Sequence, residues 1–422
     1  MYKVVFNNPY TIDYTHGDYR FHKGMEYKVP DHIAKQLDDK YFLKFKLEDA
    51  IADVIKWKEI NSFVQPSIAG PEKPEFSLTI KFPTMQVENG YGSFIHSLIT
   101  HAERAFKEKL NIRQTRGIKA IYEPLMHLES AQPNDVVVQC DTPYYYEFPR
   151  DKFRVGFTMI EATGIPKRWV TSINQKVDLI LVPSRFCRDV FISCGVTVPI
   201  RIVPLAARNA GEILTRPVDR EVYTFLSWGQ FSDDDRKGWR IAVSAFMNEF
   251  KKEEKVKLVL KAGGGYDFVS NVHDDRIICM RDWISMEAMK QLIQGADCGV
   301  FPTHGEGWGL CPMEAAASGL PTIVTNWSGM NDWVSKENFY PIEVSELEEA
   351  YYPRFEGENM GYWALVDEKK VQKQMRFVFE NKEAAKQRGT KAANYIKKFF
   401  NWDNTVRKMI EVINEELKKR NV

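Results

Sequence analysis

Long apolar runs are missing from this chain. No window of its 422 residues approaches the roughly 18 consecutive apolar positions of a membrane span. The N-terminus, Met1 to Asn8, holds too short an apolar stretch for a signal peptide. Charge of one sign is also scarce. The 58 basic and 57 acidic residues leave a net charge of +1, which argues against a protein that holds nucleic acid by bulk charge alone. Cysteine is sparse and unpatterned: Cys140, Cys187, Cys194, Cys279, Cys298 and Cys311 form no C-x-x-C pair, and most sit in apolar surroundings. They are expected to be free thiols in a reducing cytoplasm, not disulfides. His16, His22 and His32 have no metal-ligand spacing.

What is present is ordinary globular composition, 44% apolar and 27% charged, in a chain long enough for two or three domains. Residues 1–75 read as a small α+β module. Lys3 to Phe6 and Tyr19 to Val29 fit strands, the latter with a Lys23-Gly24 turn, and 30–37 and 49–57 fit helices. The module is similar to small appended pieces of bacteriophage proteins. From Phe76 onward strands alternate with helices, which implies parallel sheets with right-handed crossovers. Strands are expected at 77–82, 135–139, 154–158, 179–182 and 200–203, with helices at 94–110, 167–175 and 184–194. A second unit of the same kind starts near Tyr223. Its strands fit 223–228, 256–261, 276–279, 298–301 and 321–325, and its helices fit 239–250, 286–294 and 313–318. The expected domains are 1–75, 76–215, 216–400, and a closing helix in 401–422.

The chemistry concentrates around Glu306 and Glu314, eight residues apart. The apolar run Cys298 to Pro302 reads as a buried strand, Gly305 to Gly309 as a loop, and Met313 onward as a helix stopped by Gly319 and Pro321. One carboxylate then stands at the mouth of a strand and the other in the first turn of the next helix. Open α/β sheets bind ligands in that crevice. A helix N-terminus there favours an anion, and carboxylates suit hydroxyl groups. A sugar nucleotide carries both.

The string Glu306-Gly307-Trp308-Gly309-Leu310, followed by Glu314-Ala315, resembles the Glu-x7-Glu motif of retaining, GT-B-fold glycosyltransferases of the family 4 type. The resemblance covers roughly residues 77–420. It implies an α/β architecture of two Rossmann-like domains with the site in the cleft between them, and a last helix that crosses back to the first domain. It also implies roles. Glu314 would bind ribose hydroxyls and Glu306 the donor sugar. Gly307, Trp308, Gly309 and Leu310 would present amides or shape the sugar pocket, and Ser328 and Gly329 would offer amides to phosphate. The base would sit by Arg281 and Trp283, held largely through backbone. Lys237 falls on the family lysine that holds the leaving diphosphate. Gln230 stands where the family has arginine, and Arg236 could supply that charge. The triplet Asp233 to Asp235 abuts a helix start and is read as a cap, not as a metal site. No cofactor or metal is implied beyond the UDP- or GDP-linked co-substrate.

On the acceptor side, Gly90 and Gly92 match the position of the family's glycine loop, and Glu161 could orient the acceptor or take its proton. His304 could touch the sugar. The acceptor is expected to be a saccharide or surface polymer. The alternative is duplex DNA with hydroxymethylated bases, to which the basic residues Arg104, Lys107, Lys109, Arg113, Arg116 and Lys119, read as one helical region, would contribute. Outside transferases, the chain could be a sugar-nucleotide epimerase or an inactive scaffold of the same fold.

Overall fold

The computed structural model describes residues 73–84, 90–116, 123–130, 132–210, 212–214, 221–263, 274–355 and 357–420, with short segments at 2–6, 13–16, 19–22, 26–29, 35–37 and 42–46. Contacts group the chain into two units: Met1–Ile60 with Ser345–Leu347, and Asn61–Val344 with Glu348–Val422.

In the first unit, β1 (Tyr2–Phe6), β2 (Asp13–His16), β3 (Tyr19–His22), β4 (Glu26–Val29) and β5 (Phe42–Lys46) make two small antiparallel sheets. β1 lies between β4 and β5, while β2 pairs with β3. The stretch expected as one hairpin across Tyr19 to Val29 is thus divided between two sheets. The helices expected at 30–37 and 49–57 fall almost wholly outside the described residues.

The second unit holds two six-stranded sheets. The first contains β6 (Leu78–Phe82), β7 (Leu110–Gln114), β8 (Val136–Cys140), β9 (Phe153–Phe157), β10 (Leu179–Val182) and β11 (Ile200–Ile202), in the order β11-β10-β9-β8-β6-β7. The second contains β12 (Tyr223–Gly229), β13 (Val256–Ala262), β14 (Ile277–Met280), β15 (Cys298–Phe301), β16 (Thr322–Asn326) and β17 (Tyr340–Glu343), in the order β14-β13-β12-β15-β16-β17. Every pairing in both sheets is parallel. The sequence explains this. Val136-Val137-Val138 and Leu179 to Val182 are unbroken apolar runs, buried on both faces as strands in parallel sheets are.

The helices are α1 (Gly90–Phe106), α2 (Lys167–Lys176), α3 (Arg185–Ser193), α4 (Trp239–Glu249), α5 (Met286–Gln294), α6 (Leu310–Ala317), α7 (Glu368–Glu380), α8 (Lys382–Phe399) and α9 (Trp402–Arg420). Two boundaries differ from expectation. α1 already begins at Gly90, so Gly90 and Gly92 form its first turn and not a loop. It also stops at Phe106, and Leu110 to Gln114 form β7 beside β6. Leu110 and Ile112 alternate with Asn111 and Arg113, which is strand periodicity that the preceding helix masks in the sequence. α9 returns to the first sheet. Its Trp402 ring stacks on Phe94 of α1 at 6.1 Å, Thr405 donates to the Pro204 carbonyl at 2.8 Å, and Asn414 donates to the Lys73 carbonyl at 3.1 Å.

Candidate active site

β15 brings the chain to the carboxyl edge of the second sheet at Phe301, and a loop follows to Gly309. Gly309 takes φ of +89°, which strains any other residue, and caps α6. The helix therefore begins at Leu310, not at Met313. Pro312 falls in its first turn, where a missing amide has no partner to lose. This moves Glu314 from the expected first turn into the second.

Glu314 lines a pocket that opens to solvent and encloses about 130 Å³. Ser93 and Arg208 reach this pocket from the first-sheet side, while Gln230, Lys261, Trp283 and Leu310 come from the second. Burial pushes the Glu314 carboxyl above its ordinary pKa, and Arg208, with Nε 3.6 Å away, offsets this only in part. Asn209 fixes the backbone beneath it, donating to the Glu314 carbonyl at 3.2 Å.

A second cluster centres on Glu306. Its Oε1 is 2.5 Å from the Lys237 ammonium and its Oε2 is 3.3 Å from Arg236 Nη1. Burial opposes ionisation, yet Lys237 and Arg236 together hold this carboxyl below the usual range. Arg236 also donates to the Gly305 carbonyl at 2.8 Å and lies 3.6 Å from Glu161, whose other oxygen accepts from the Tyr352 hydroxyl at 3.3 Å. Arg236 thus joins a carboxylate from the loop after β9 to one from the loop after β15. Its guanidinium is held charged: Glu161 and Glu306 outweigh the desolvation of its burial. Neither Glu306 nor Lys237 is among the residues lining the pocket around Glu314, but the Lys237 stem packs against Gly229, which does line it.

The loops behind this cluster meet backbone to backbone. A methyl on Gly305 would overlap the Glu161 carbonyl oxygen, and one on Gly329 would overlap the Gly307 carbonyl oxygen. Cys187 Sγ lies 3.3 Å from the Ile160 carbonyl and 3.7 Å from the Gly307 carbonyl.

Several of the expected site residues also take part in the packing. Trp308 is a core residue. Its ring is buried, its Nε1 points at Met313 Sδ at 3.3 Å, and its carbonyl accepts from Trp333 Nε1 at 2.8 Å. Ser328 and Gly329 are occupied by the glutamate loop: Ser328 Oγ accepts from the Glu306 amide and the Gly329 amide donates to the Glu306 carbonyl, both at 2.9 Å. These two bonds hold the Glu306 loop in place. His304 is drawn elsewhere. Its Nδ1 lies 2.7 Å from both Glu348 and the Ala364 carbonyl. Burial lowers its pKa, but Glu348 more than compensates. Arg281 is exposed and outside the pocket lining, whereas Trp283 is inside it.

Asp234 accepts from Ser232 Oγ at 2.8 Å and from the Arg236 amide at 3.1 Å, and Asp235 accepts from the Arg240 amide of α4 at 3.2 Å. The aspartates thus organise a helix start. Among the described residues no group of three His, Cys, Asp or Glu side chains is placed to hold a metal ion.

The basic residues expected on one helix are dispersed. Arg104 lies in the last turn of α1, Lys107 and Lys109 belong to a separate 3-10 turn, and Arg113 is on β7. Arg116 pairs with Asp141 at 2.7 Å and lies over the Tyr145 ring at 3.4 Å. Lys119 is outside the described residues. Two pocket cations escaped the sequence reading. Arg208 sits in an unpatterned linker. Lys261 had a weak signal, as the charged residue at the end of the apolar strand Leu258-Val259-Leu260.

The family described as Family 4 Glycosyltransferase in conflict systems matches residues 184–409. No curated protein matches the chain. Among solved structures, HepE from Anabaena, in complex with UDP and glucose, aligns with a TM-score of 0.60 at 12% identity, over 81% of this chain and 100% of its own. Sucrose-phosphate synthase from Thermosynechococcus elongatus aligns at 0.59 and 12% identity, with coverages of 81% and 100%. WaaG, a glycosyltransferase of lipopolysaccharide biosynthesis, aligns at 0.54 and 13% identity, with coverages of 80% and 99%. At such identities the likeness is one of fold, and the fold is GT-B: two parallel six-stranded sheets with flanking helices.

Proposed function

Because the chain belongs to the family 4 glycosyltransferases of conflict systems, we propose that it moves a sugar from a UDP- or GDP-linked donor to a hydroxyl acceptor, with retention of configuration and without a metal. One observation carries this reading. A largely buried glutamate, Glu314, lines an open pocket together with Arg208, Lys261 and Trp283, beside a second glutamate held ionised by two cations. HepE, which shares the fold, has been captured with UDP and glucose.

In this reading the ribose hydroxyls donate to Glu314. The first turn of α1, with Ser93 at the pocket wall, and Arg208 face the diphosphate. Lys237 is bonded to Glu306 and reaches phosphate by exchanging that partner. The bond from sugar C1 to the phosphate oxygen breaks while the bond from C1 to the acceptor oxygen forms on the same face. The acceptor proton passes to a leaving phosphate oxygen, and nucleoside diphosphate departs. Stabilising its growing charge is the main catalytic task. Glu161, ion-paired with Arg236, orients the acceptor hydroxyl in this scheme.

A saccharide or surface polymer is the favoured acceptor. The duplex-DNA alternative has lost the continuous basic helix that would have presented its charge to the phosphates. The test is thermal unfolding of wild type and Glu314→Ala with UDP, GDP and ADP, alone and as hexose conjugates. About 100 Kd of the right ligand adds roughly 2.7 kcal/mol of stability. A shift selective for one base and reduced in the variant supports the reading. The absence of any shift in folded protein would count against it. Release of nucleoside diphosphate then separates a transferase from an epimerase, and a salt-sensitive mobility shift with duplex DNA tests the alternative acceptor.

A further inference from the structure

Resting on the nucleotide-site reading above, we infer that Lys261 reads the exocyclic edge of the donor's base and selects a keto base, uracil or guanine, over an amino base, cytosine or adenine. Lys261 is the penultimate residue of β13 and lines the same pocket as Glu314. Its residue is 7% exposed, and its ammonium donates at 2.7 Å to the Ala262 carbonyl. It makes no ion pair among the described residues. An ammonium has three donors and no acceptor, so two remain for a ligand. A buried ammonium with donors unused is costly, and a ligand oxygen relieves that cost.

Trp283 indicates which part of the ligand comes here. Its ring is 50% exposed within the pocket, and the Lys261 ammonium lies 5.5 Å from its centroid. A half-exposed indole offers a face to a flat ring. A base stacked there brings its edge to Lys261. A carbonyl oxygen accepts from the ammonium, whereas an amino group sets donor against donor. Polar sites of this kind discriminate more sharply than apolar ones. Phosphate is the competing use for the lysine, and Arg208 already faces the pocket with Glu314 as its carboxylate neighbour.

The experiment is calorimetric titration of the full chain with UDP, CDP, GDP, ADP and inorganic pyrophosphate, for wild type, Lys261→Met and Lys261→Gln. Wild type should bind the preferred keto nucleotide about tenfold or more tighter than its amino counterpart, UDP against CDP or GDP against ADP. In Lys261→Met that ratio should collapse toward one, with nucleotide binding retained. Lys261→Gln, whose amide can donate or accept, should narrow the ratio too, and it carries the test if the Met variant fails to fold. A ratio near one in wild type, or a ratio unchanged in the variants, overturns the inference while leaving the nucleotide site standing. Equal weakening of all four nucleotides and of pyrophosphate also overturns it, by assigning Lys261 to the diphosphate. Wild type that binds no nucleotide would remove the underlying site as well.

Discussion

At Glu306 two cations outweigh the cost of burial; at Glu314 one guanidinium 3.6 Å away does not. The pH consequences have opposite signs. Glu306 has a depressed folded pKa, so it stabilises the fold above its unfolded value, and that contribution fades as pH falls through the folded value. Lys237→Met leaves Glu306 buried with Arg236 alone. It should cost about 3 kcal/mol in urea unfolding at pH 7 and abolish sugar transfer. Glu314 has a raised folded pKa, so its penalty is absent below the unfolded value and grows as pH rises through the folded one. Glu314→Gln should therefore melt above wild type at pH 8, by on the order of 1 kcal/mol, and level with it at pH 4. It should do so while losing nucleotide-induced stabilisation. A variant less stable than wild type at pH 8 would contradict this account. Glu306, Glu314 and Lys237 were legible because each sits in a short local string. Arg208 and Lys261 were not, because the fold delivers them to the pocket from distant stretches of chain, with no shared spacing.

The start of α6 shows how an element boundary can escape a correct reading of its residues. Gly309 and Pro312 look like breakers. A left-handed glycine followed by a proline in the first turn is nonetheless a good way to begin a helix. Gly309→Ala should cost about 1–2 kcal/mol from the φ of +89° alone, and more from Met330, whose Cγ would lie 2.9 Å from the added methyl. Because Leu310 and Glu314 ride on this helix, nucleotide affinity should fall along with the urea midpoint. The sheets were largely legible because parallel strands buried on both faces are plain apolar runs. β7 was absorbed into α1 because its five residues directly follow a helix and a basic turn, and period two is hard to see over so short a span.

On the scale of the molecule, the two six-stranded sheets are joined by polar bonds between their loops. Arg236 reaches Glu161 and Glu306, and Arg185 of α3 reaches Asp332, with Nε 3.0 Å from its Oδ1 and the backbone amide 2.9 Å from its Oδ2. Thr163 Oγ1 accepts from the Tyr362 amide at 2.7 Å. Burial pushes the Asp332 carboxyl up in pKa, with Arg185 acting against it. Arg185→Ala should then cost about 3–5 kcal/mol, because it strands a buried acid. Limited proteolysis between the two sheets should accelerate, and transfer should suffer more than nucleotide binding, since the pocket is lined mainly from the second sheet.

The backbone contacts at Gly305 and Gly329 bear on how such a site could be transplanted. The loop that carries Glu306 touches the strand-end loop bearing Glu161 on one side and the turn bearing Ser328 on the other, with no room for a β-carbon at either seam. The three segments behave as interlocking pieces. A chimera that imports only residues 303–309 from a relative of different loop length has no partner surface to close against. Recombination that moves 159–161, 303–309 and 327–330 together keeps both seams, so exchange of donor preference between relatives is expected to succeed by triplets of loops and to fail one loop at a time.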